Sequence, residues 1–558
     1  MQNAALYYHP EGFDTARAKL MGRQVAGEGF LRGFARHSGV DRFYCHAANE
    51  KAARDFAQRI AHHGGTAPVT WIPMLASADL ARAGCLFLSD PGLGSFAWRR
   101  RASGQRGYSL CGITHTTASH GAMDLIADLL VAPVQPWDAL ICTSRVVHDT
   151  VSTLWRTQAE YLESRFGTKQ FALPRLPVIP LGVDAEAYAS VPNAEDRARW
   201  RAQLGIGDND IAILFMGRLS FHAKAHPLPL YLALEQVARG LEGPKLHLIQ
   251  SGWFSNEWIE RSFNEAAAAL CPSVKVVSID GRVPETRRTI WSAADIFTSL
   301  ADNIQETFGL SPLEGMAAGL PVVVSDWNGY RETVRDGVDG FRIPTRMPPA
   351  PLGTDLANRY ACGIDSYDQY LARTSHFVSV DVPAATWAFQ NLVQNPDLRQ
   401  RMGAAGRARV RDHFDWRVVI GLHQELWREL SEVREHDPES AIPAPGAPPC
   451  PTRPDPFAAF ASYPSRLLDI EQRLVLAPGA SREAMQALRS LAVMKSTDLN
   501  FLPVETGEWI LAYLARTESA TIGEMLDQMP SGYSQSVMRA FACLHKLDLV
   551  HFVEGPIN

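Results

Sequence analysis

The stretch Ser299-Leu-Ala-Asp-Asn-Ile-Gln-Glu306-Thr-Phe-Gly309-Leu-Ser311-Pro312-Leu-Glu314-Gly-Met-Ala-Ala-Gly319-Leu-Pro321-Val-Val-Val-Ser-Asp326 reads as strand, loop, helix, turn, strand. Ser311 is a favourable N-cap and Pro312 a favourable first helical residue. Glu314, three residues after Ser311, completes the spacing of a capping box. Gly319 ends the helix and Pro321 bars its continuation. Before the helix lie Phe308, Gly309 and Leu310. Unpaired N–H groups and the positive end of the helix dipole meet there, which suits a phosphate. Gly309 lets an anion approach the backbone closely.

Working outward, the same alternation recurs on both sides. Ile211–Met216, Lys245–Gln250, Val274–Ser278, Ile296–Ser299 and Val322–Ser325 read as strands. The segments 229–239, 258–269, 284–294 and 312–318 between them read as helices, followed by helical 385–394, 396–414 and 417–433. Upstream, Ala4–Tyr8, Asp41–His46, Val69–Trp71, Cys85–Leu88, Leu110–Ile113, Ala139–Thr143 and Pro177–Pro180 are strand candidates, with a glycine-bearing loop and helix over Leu20–His37. Strands alternating with amphipathic helices imply parallel sheets covered on both faces. The expectation is α/β, two Rossmann-like lobes facing a central cleft, with ligands at the carboxyl ends of the strands.

The chain has 558 residues, too many for one hydrophobic core. The boundaries read as 1–185 for a first lobe, 186–415 for a second, and 416–436 for a terminal helix returning to the first. A proline-rich linker over 437–465 and a small module over 466–558 follow. The linker is marked by Pro443, Pro445, Pro448, Pro449, Pro451, Pro454 and Pro456, a density that favours an extended spacer. In the module, Glu508–Ala515 and Ser534–Leu547 read as helices, Thr521 and Glu524 as a capping box, and Leu549–Val553 as a strand. That pattern is similar to a winged helix and, more loosely, to small peptide-binding domains of the PqqD type. From Asp498 to the end its acidic residues outnumber Arg516, Arg539 and Lys546, which argues against DNA and for a protein partner or self-association.

Net charge is −6, so no nucleic-acid partner is expected. The eight cysteines form no C-x-x-C pair, which implies neither a zinc cluster nor a disulfide framework. No apolar run approaches the ~18–20 residues of a membrane helix, and residues 1–6 show no charged-then-apolar leader. A cytoplasmic location is expected, with peripheral attachment to the inner membrane as a second location.

The Glu306-x7-Glu314 spacing, with Phe308-Gly309 between the glutamates and Gly-Leu-Pro-Val-Val after them, resembles retaining glycosyltransferases of the GT-B fold, family 4 type. Read without that context, Glu314 would be a helix cap and Glu306 a solvated loop charge. The resemblance covers about residues 20–430 and is strongest at 211–345; residues 346–370 fit poorly and read as an inserted loop. It implies that Glu306 contacts donor-sugar hydroxyls and Glu314 the ribose, with Thr307, Phe308, Gly309 and Leu310 lining the donor. Ile211-Ala-Ile-Leu-Phe-Met-Gly217-Arg218-Leu-Ser-Phe-His-Ala-Lys224 supplies the Arg and Lys that the family places on the donor diphosphate, although its usual Lys-Gly pair is absent. Fixed cations stabilise a leaving diphosphate as its charge grows. Ile249-Gln-Ser-Gly252 also ends a strand in this lobe, and Arg282 and Val283, in Ile279-Asp-Gly-Arg-Val-Pro284, would lie against the nucleobase. Gly27 and Glu28, in Met21-Gly-Arg-Gln-Val-Ala-Gly-Glu-Gly-Phe30, would form a glycine-rich loop near the donor. His115, ahead of His120, would serve the acceptor or the transferred sugar, and Val178-Ile-Pro-Leu-Gly-Val-Asp184 would mark the hinge.

Together these imply metal-free transfer of a sugar from a UDP- or GDP-linked donor, with no resident cofactor, to a glycan, lipid-linked, small-molecule or protein acceptor, with retention at the anomeric carbon. Competing readings are a sugar-nucleotide epimerase or phosphorylase on the same scaffold and a non-catalytic binding protein, since fold alone does not fix chemistry.

Overall fold

The computed structural model describes residues 2–14, 22–495, 503–529 and 534–553. It divides into two compact units, Met1–Cys450 and Pro451–Asn558.

The first unit holds two parallel six-stranded sheets. One is built from β1 (Ala5–Tyr7), β2 (Phe43–Ala47), β3 (Val69–Pro73), β4 (Cys85–Phe87), β5 (Ser109–Ile113) and β6 (Ala139–Ile141), in the order 3-2-1-4-5-6. The other is built from β7 (Ile211–Met216), β8 (Leu246–Gly252), β9 (Lys275–Asp280), β10 (Ile296–Ser299), β11 (Val322–Ser325) and β12 (Gly340–Ile343), in the order 9-8-7-10-11-12. Counted within each lobe the order is the same, the doubly wound arrangement in which strand direction of travel reverses between the first and fourth strands. Helices cover both faces, so a central strand such as β7 is buried along its whole length and can be apolar throughout. Two such lobes around a cleft are the GT-B architecture. Within the second lobe, β12 has no counterpart in the sequence reading; Gly340 is its weak start, while Val322–Ser325 pair with it in register. Conversely, Pro177–Pro180 makes no strand, only a bridge from Val178 to Cys142, because each proline removes a ladder N–H.

The chain passes between lobes at Val183 and again at Asp415. The Val183 N–H donates to Phe414 O at 2.7 Å, and the Trp416 N–H donates to Val183 O at 3.2 Å. The helix Trp416–His436 then lies on the first lobe, where the Gln424 amide donates to Gln2 O (3.1 Å) and Ser38 O (2.8 Å).

Three sequence expectations are corrected. The glycine-rich segment with Gly27 and Glu28 is not a loop but part of the helix Gly22–His37; Met21, at its start, lies outside the described residues. Glycine costs a helix about 1 kcal/mol relative to alanine. Here it permits close packing: a Cβ on Gly27 would lie 2.8 Å from Gly12 O, and one on Gly33 2.8 Å from Trp416. The second correction concerns the start of the helix after β10, which runs Leu310–Ala317 with Gly309, not Ser311, as its N-cap and with no side-chain cap. Thirdly, residues 346–370 are not a simple loop. They carry the helix Thr354–Ala361 and lead into the helix Tyr367–Ser375, which has a Ser366–Gln369 capping box.

The proline-rich segment begins pinned to the first lobe. The Gln105 amide donates to Ser440 O at 2.8 Å, and the Arg101 guanidinium to Pro449 O at 3.3 Å.

In the second unit, β13 (Arg473–Leu476) lies between β14 (Ser519–Thr521) and β15 (Val550–Val553), both antiparallel to it. The helix Val504–Thr517 packs with the helix Ser534–Lys546 through Ile510, Leu514, Val537 and Phe541, all essentially unexposed. Thr521 and Glu524 form the expected capping box. The apolar faces of these helices are thus the module's own core.

Candidate functional site

In a doubly wound sheet, loops after the first and fourth strands diverge and leave a crevice at the carboxyl edge. In the second lobe these are the loops after β7 and β10. The first carries Arg218 and Lys224, the second Glu306. The fold therefore brings together residues 82 positions apart: Lys224 Nζ donates to Glu306 Oε2 at 2.6 Å, with side chains only 19% and 12% exposed. Glu306 also accepts from the Tyr330 hydroxyl (3.3 Å) and, through Oε1, from the backbone N–H groups of Thr307 (3.2 Å) and Phe308 (3.4 Å). Tyr330 is itself held 2.9 Å from Ser299 Oγ.

Burial pushes the Glu306 pKa up, but the Lys224 charge and these amides outweigh it and hold it below the usual carboxylate value. Burial likewise opposes the Lys224 charge, and Glu306 more than offsets that, so its pKa lies above that of ordinary lysine. Both groups are ionised at neutral pH. Arg218 lies beside them, its Nη2 donating to Ala223 O at 3.3 Å, and burial lowers its pKa. Further back, Asp302 is 2% exposed, accepts from the His226 N–H at 3.3 Å, and is pushed by burial up to about 7.

Gly309 has φ of 97°, and a Cβ there would stand 2.1 Å from Tyr330. Only glycine suits this position, and its left-handed turn starts the helix one residue after it. With no capping role, Glu314 turns instead toward the interlobe cleft. The cleft is about 460 Å³ and is lined by Glu28, Arg32, Asp184, Tyr188, Pro284, Arg287, Leu310 and Glu314, among others. Burial raises the Glu314 pKa; Arg287 and a hydrogen bond from Tyr188 oppose the rise.

The first lobe closes on this cluster through its own strand ends. Thr307 Oγ1 donates to His115 O at 3.1 Å, and Ser144 Oγ donates to Thr307 O at 3.0 Å. The Arg145 N–H donates to Glu332 Oε1 at 2.6 Å. His115 also lines a small apolar cavity with Gly27, Phe30, Phe87 and Trp416.

Arg218, Lys224, Gly217, Glu306, Thr307, Phe308, Gly309 and the carbonyl of His115 thus gather at one place, with Glu314, Leu310 and Glu28 on the adjoining cleft. Glu28 is committed within its lobe, lying 2.8 Å from His63 Nε2 and 3.3 Å from Arg59 Nη1. Arg282 and Val283 are not among the cleft-lining residues. The Arg282 guanidinium pairs with Asp280 at 2.9 Å and lies 5.9 Å from the Trp253 ring centroid, while Val283 is exposed. The cleft is lined instead by their neighbours Pro284, Arg287 and Arg288. Tyr188, Tyr330 and Ser144 are polar partners absent from the sequence reading. Nothing in their local pattern marks them, because each is placed by contact between distant segments. Among the described residues no group of three or more His, Cys, Asp or Glu side chains could hold a metal ion, and no helix is long and apolar enough to cross a membrane.

Residues 196–350 match the family model of Glycosyl transferases group 1. That segment contains Arg218, Lys224, Glu306 and Glu314. Among curated proteins, the D-inositol 3-phosphate glycosyltransferase of Nocardia farcinica is 32% identical over 171 residues, 30% of this chain and 36% of that protein. The GDP-mannose-dependent alpha-(1-6)-phosphatidylinositol monomannoside mannosyltransferase of Mycolicibacterium smegmatis is 28% identical over 282 residues, half of this chain and 62% of that one. The chain thus spans about a third to three-fifths of these relatives' length. Among solved structures, Anabaena Alr3699/HepE in complex with UDP has a TM-score of 0.47 at 17% identity, covering 77% of this chain and all of that one. Sucrose-phosphate synthase from Thermosynechococcus elongatus has a TM-score of 0.46 at 18% identity, covering 78% of this chain and all of that one.

Proposed function

We propose that the protein transfers a glycosyl group from a nucleotide sugar to an acceptor hydroxyl, retaining the anomeric configuration and using no metal ion. The observation that carries this reading is the half-buried Lys224–Glu306 pair beside Arg218 at the crevice of the second sheet. Arg218 and Lys224 receive the diphosphate, and Glu306, one oxygen fixed by backbone amides, accepts from hydroxyls of the donor sugar. Glu314 and its cleft receive the ribose, and His115 stands on the acceptor side. In the reaction the bond between the anomeric carbon and the β-phosphate oxygen breaks and its electron pair leaves with the nucleoside diphosphate. The acceptor oxygen bonds to the same face of that carbon, and its proton passes to the departing phosphate. Charge grows on the diphosphate as the bond lengthens, so two fixed cations in a half-buried site favour the transition state over the ground state.

The match over residues 196–350 supports the donor half of this reading, and the relatives named above act on inositol phosphate and phosphatidylinositol mannoside. A UDP or GDP donor is our proposal for the nucleotide; the acceptor is a glycan, lipid-linked, small-molecule or protein hydroxyl. The test is a thermal-shift screen of UDP-, GDP- and ADP-sugars, followed by proton NMR of the product formed with the stabilising donor. Ligand binding to the native state raises the midpoint with the logarithm of concentration. An inverted anomer, or activity abolished by EDTA, would overturn the retaining or metal-free part. Release of nucleotide without any acceptor, or interconversion of the donor itself, would favour an epimerase, and a sugar phosphate formed with inorganic phosphate as acceptor would favour a phosphorylase.

A further inference from the structure

Residues 347–375 have no role in the transfer reaction as described, and the family match ends at residue 350. They leave the second lobe after the short strand Thr345–Arg346 and return to it at Ser379–Val380, which pairs antiparallel with that strand. Between these ends stand the helices Thr354–Ala361 and Tyr367–Ser375. The turn joining them is fixed by Asp365, 2.9 Å from Arg359 and 3.1 Å from Arg373. This insert reaches across to the first lobe and meets the residues that follow β5. The Tyr360 hydroxyl accepts from the His120 N–H at 3.0 Å, and the two rings stack with centroids 3.6 Å apart. Tyr370 stacks on Tyr360 at 4.4 Å, and the Tyr367 hydroxyl lies 3.4 Å from Thr116 Oγ1. With Thr307 on the His115 carbonyl, the whole run from His115 to His120 is held by groups of the second lobe.

At the centre of this contact Leu371, fully buried, forms a small apolar cluster with Ala118 and Ala223, and Ile304 and Tyr367 pack against it. The partners of Leu371 come from three different loops. Ala118 follows β5, close to His115. Ala223 precedes Lys224 in the loop after β7, and its carbonyl receives the Arg218 guanidinium. Ile304 stands two residues before Glu306 in the loop after β10. The three loops that carry the site are thus joined at one apolar point, and the insert supplies its most buried side chain. We propose that residues 347–375 are a clasp that seals the seam between the lobes beside the Lys224–Glu306 pair, with Leu371 as its plug, so that water does not compete with the acceptor for the anomeric carbon. Water is in great excess over any acceptor, so a transferase holding an activated donor must keep it out. Packed apolar side chains leave water neither room nor hydrogen-bond partners. The same exclusion strengthens the interaction of Lys224 and Glu306 with each other and with a bound donor. Leu371 acts through the loops it joins and is a positioning residue.

This inference rests on the transferase reading given above. With the plug opened, the oxygen of water bonds to the anomeric carbon and the bond from that carbon to the phosphate oxygen breaks. Its electron pair leaves with the nucleoside diphosphate, one water proton stays on the new sugar hydroxyl, and the other passes to the departing phosphate. The products are free sugar and nucleotide. The experiment uses the full-length protein with UDP-glucose, GDP-mannose and ADP-glucose as probes. Calorimetry reads donor binding, and release of nucleotide and free sugar is followed without acceptor. Leu371→Ala empties the plug, and His120→Ala removes an exposed ring from the Tyr360 stack. Each variant should bind the donor that wild type binds with unchanged Kd and hydrolyse it several times faster. Leu352→Ala, at an exposed leucine of the same insert, should match wild type in both. Loss of folded protein lowers every rate, so a gain of hydrolysis is a readout that mere destabilisation does not produce. Unchanged or slower hydrolysis by Leu371→Ala with intact donor binding overturns the clasp while leaving the donor site standing; if that variant does not fold, the same outcome in His120→Ala decides. Equal acceleration by Leu352→Ala, or loss of donor binding in a folded variant, also overturns it. A wild-type protein that binds none of the three probes overturns both readings.

Discussion

The two sheets of the first unit share one strand order, yet they use its crevice differently. In the second lobe the loops after β7 and β10 deliver Arg218, Lys224 and Glu306 to a half-buried cluster. In the first lobe the equivalent place is filled by packing: Phe13, Phe30, Phe87 and Trp416 line a cavity of only about 10 Å³. The helix that follows β1 is set close by glycines, with Gly29 and Gly33 against Trp416. The lesson is that topology offers a crevice and the loop residues decide its use. One lobe spends it on charge, the other on docking a helix that returns from its partner.

The largest expected effect tests the charged side of this contrast. Arg218→Ala should lower kcat/KM by about 2–4 kcal/mol of transition-state stabilisation, by analogy with removing one preorganised donor. Its thermal midpoint should stay near that of wild type, because among the described residues the side chain makes one hydrogen bond. Steady-state kinetics and a melting curve on the same preparation check both halves. Glu306→Gln should cut turnover about tenfold or more, since an amide cannot match a carboxylate held by two backbone N–H groups and Lys224. Glu314→Gln should act mainly on nucleotide affinity, read as Kd for UDP or GDP.

The packed side of the contrast is tested by Gly33→Ala. Its Cβ would stand 2.8 Å from Trp416, so the variant should lose about 1–3 kcal/mol in denaturant unfolding. Pyrophosphate affinity should not change. A variant that keeps its stability but loses pyrophosphate binding would show that the first lobe shapes the anion site after all.

A pH experiment sharpens the same division. Asp302, behind the charged cluster, has its pKa pushed by burial from the usual 3.8 to about 7. Its ionised form is therefore penalised in the folded state. The penalty is absent below about pH 3.8, grows as pH rises toward 7, and is complete above that. Asp302→Asn should accordingly be more stable than wild type by about 1–4 kcal/mol at pH 8, and equal to it near pH 4. Equal stability at both values would place the carboxylate in a better solvated setting than its 2% exposure indicates.

The smallest effect belongs to the tail. Truncation after Cys450 should leave nucleotide affinity unchanged, because every residue assigned to the donor precedes it and the boundary between compact units falls there. Cutting after Glu435 should be more disruptive, since it removes Ser440 and its hydrogen bonds to Gln105 and Gln135. Light scattering on the full and shortened proteins tests self-association through the module. The burial of Ile510 and Phe541 in its own core leaves those faces no part in such a contact.

Much of this was legible in the residue order. Apolar runs such as Ile211–Met216 and Val322–Ser325 are local signals of buried parallel strands, and the Glu306-x7-Glu314 spacing marked the carboxylates before any geometry was available. Local patterns misled where a second segment overruled them. Ser311-Pro312-x-Glu314 reads as a capping box, but Gly309, turned by its contact with Tyr330, starts the helix earlier and frees Glu314 for the cleft. The glycines at 27, 29 and 33 read as a loop because intrinsic propensity is against them. They are helical nonetheless, and only tertiary packing shows why they are glycines: Trp416, nearly 400 residues away, packs where side chains at 29 and 33 would be, and Gly12 O where one at 27 would be. By itself, then, the sequence determined which residues carry charge and, Gly340–Ile343 and Pro177–Pro180 apart, which segments form the strands of the two sheets, since both depend on neighbours a few positions apart. Tertiary structure alone decided that Lys224 meets Glu306, that Tyr188 faces Glu314 and that residues 347–375 span the lobes. Such pairings depend on how two separately folded sheets dock, and no short-range period or spacing records that.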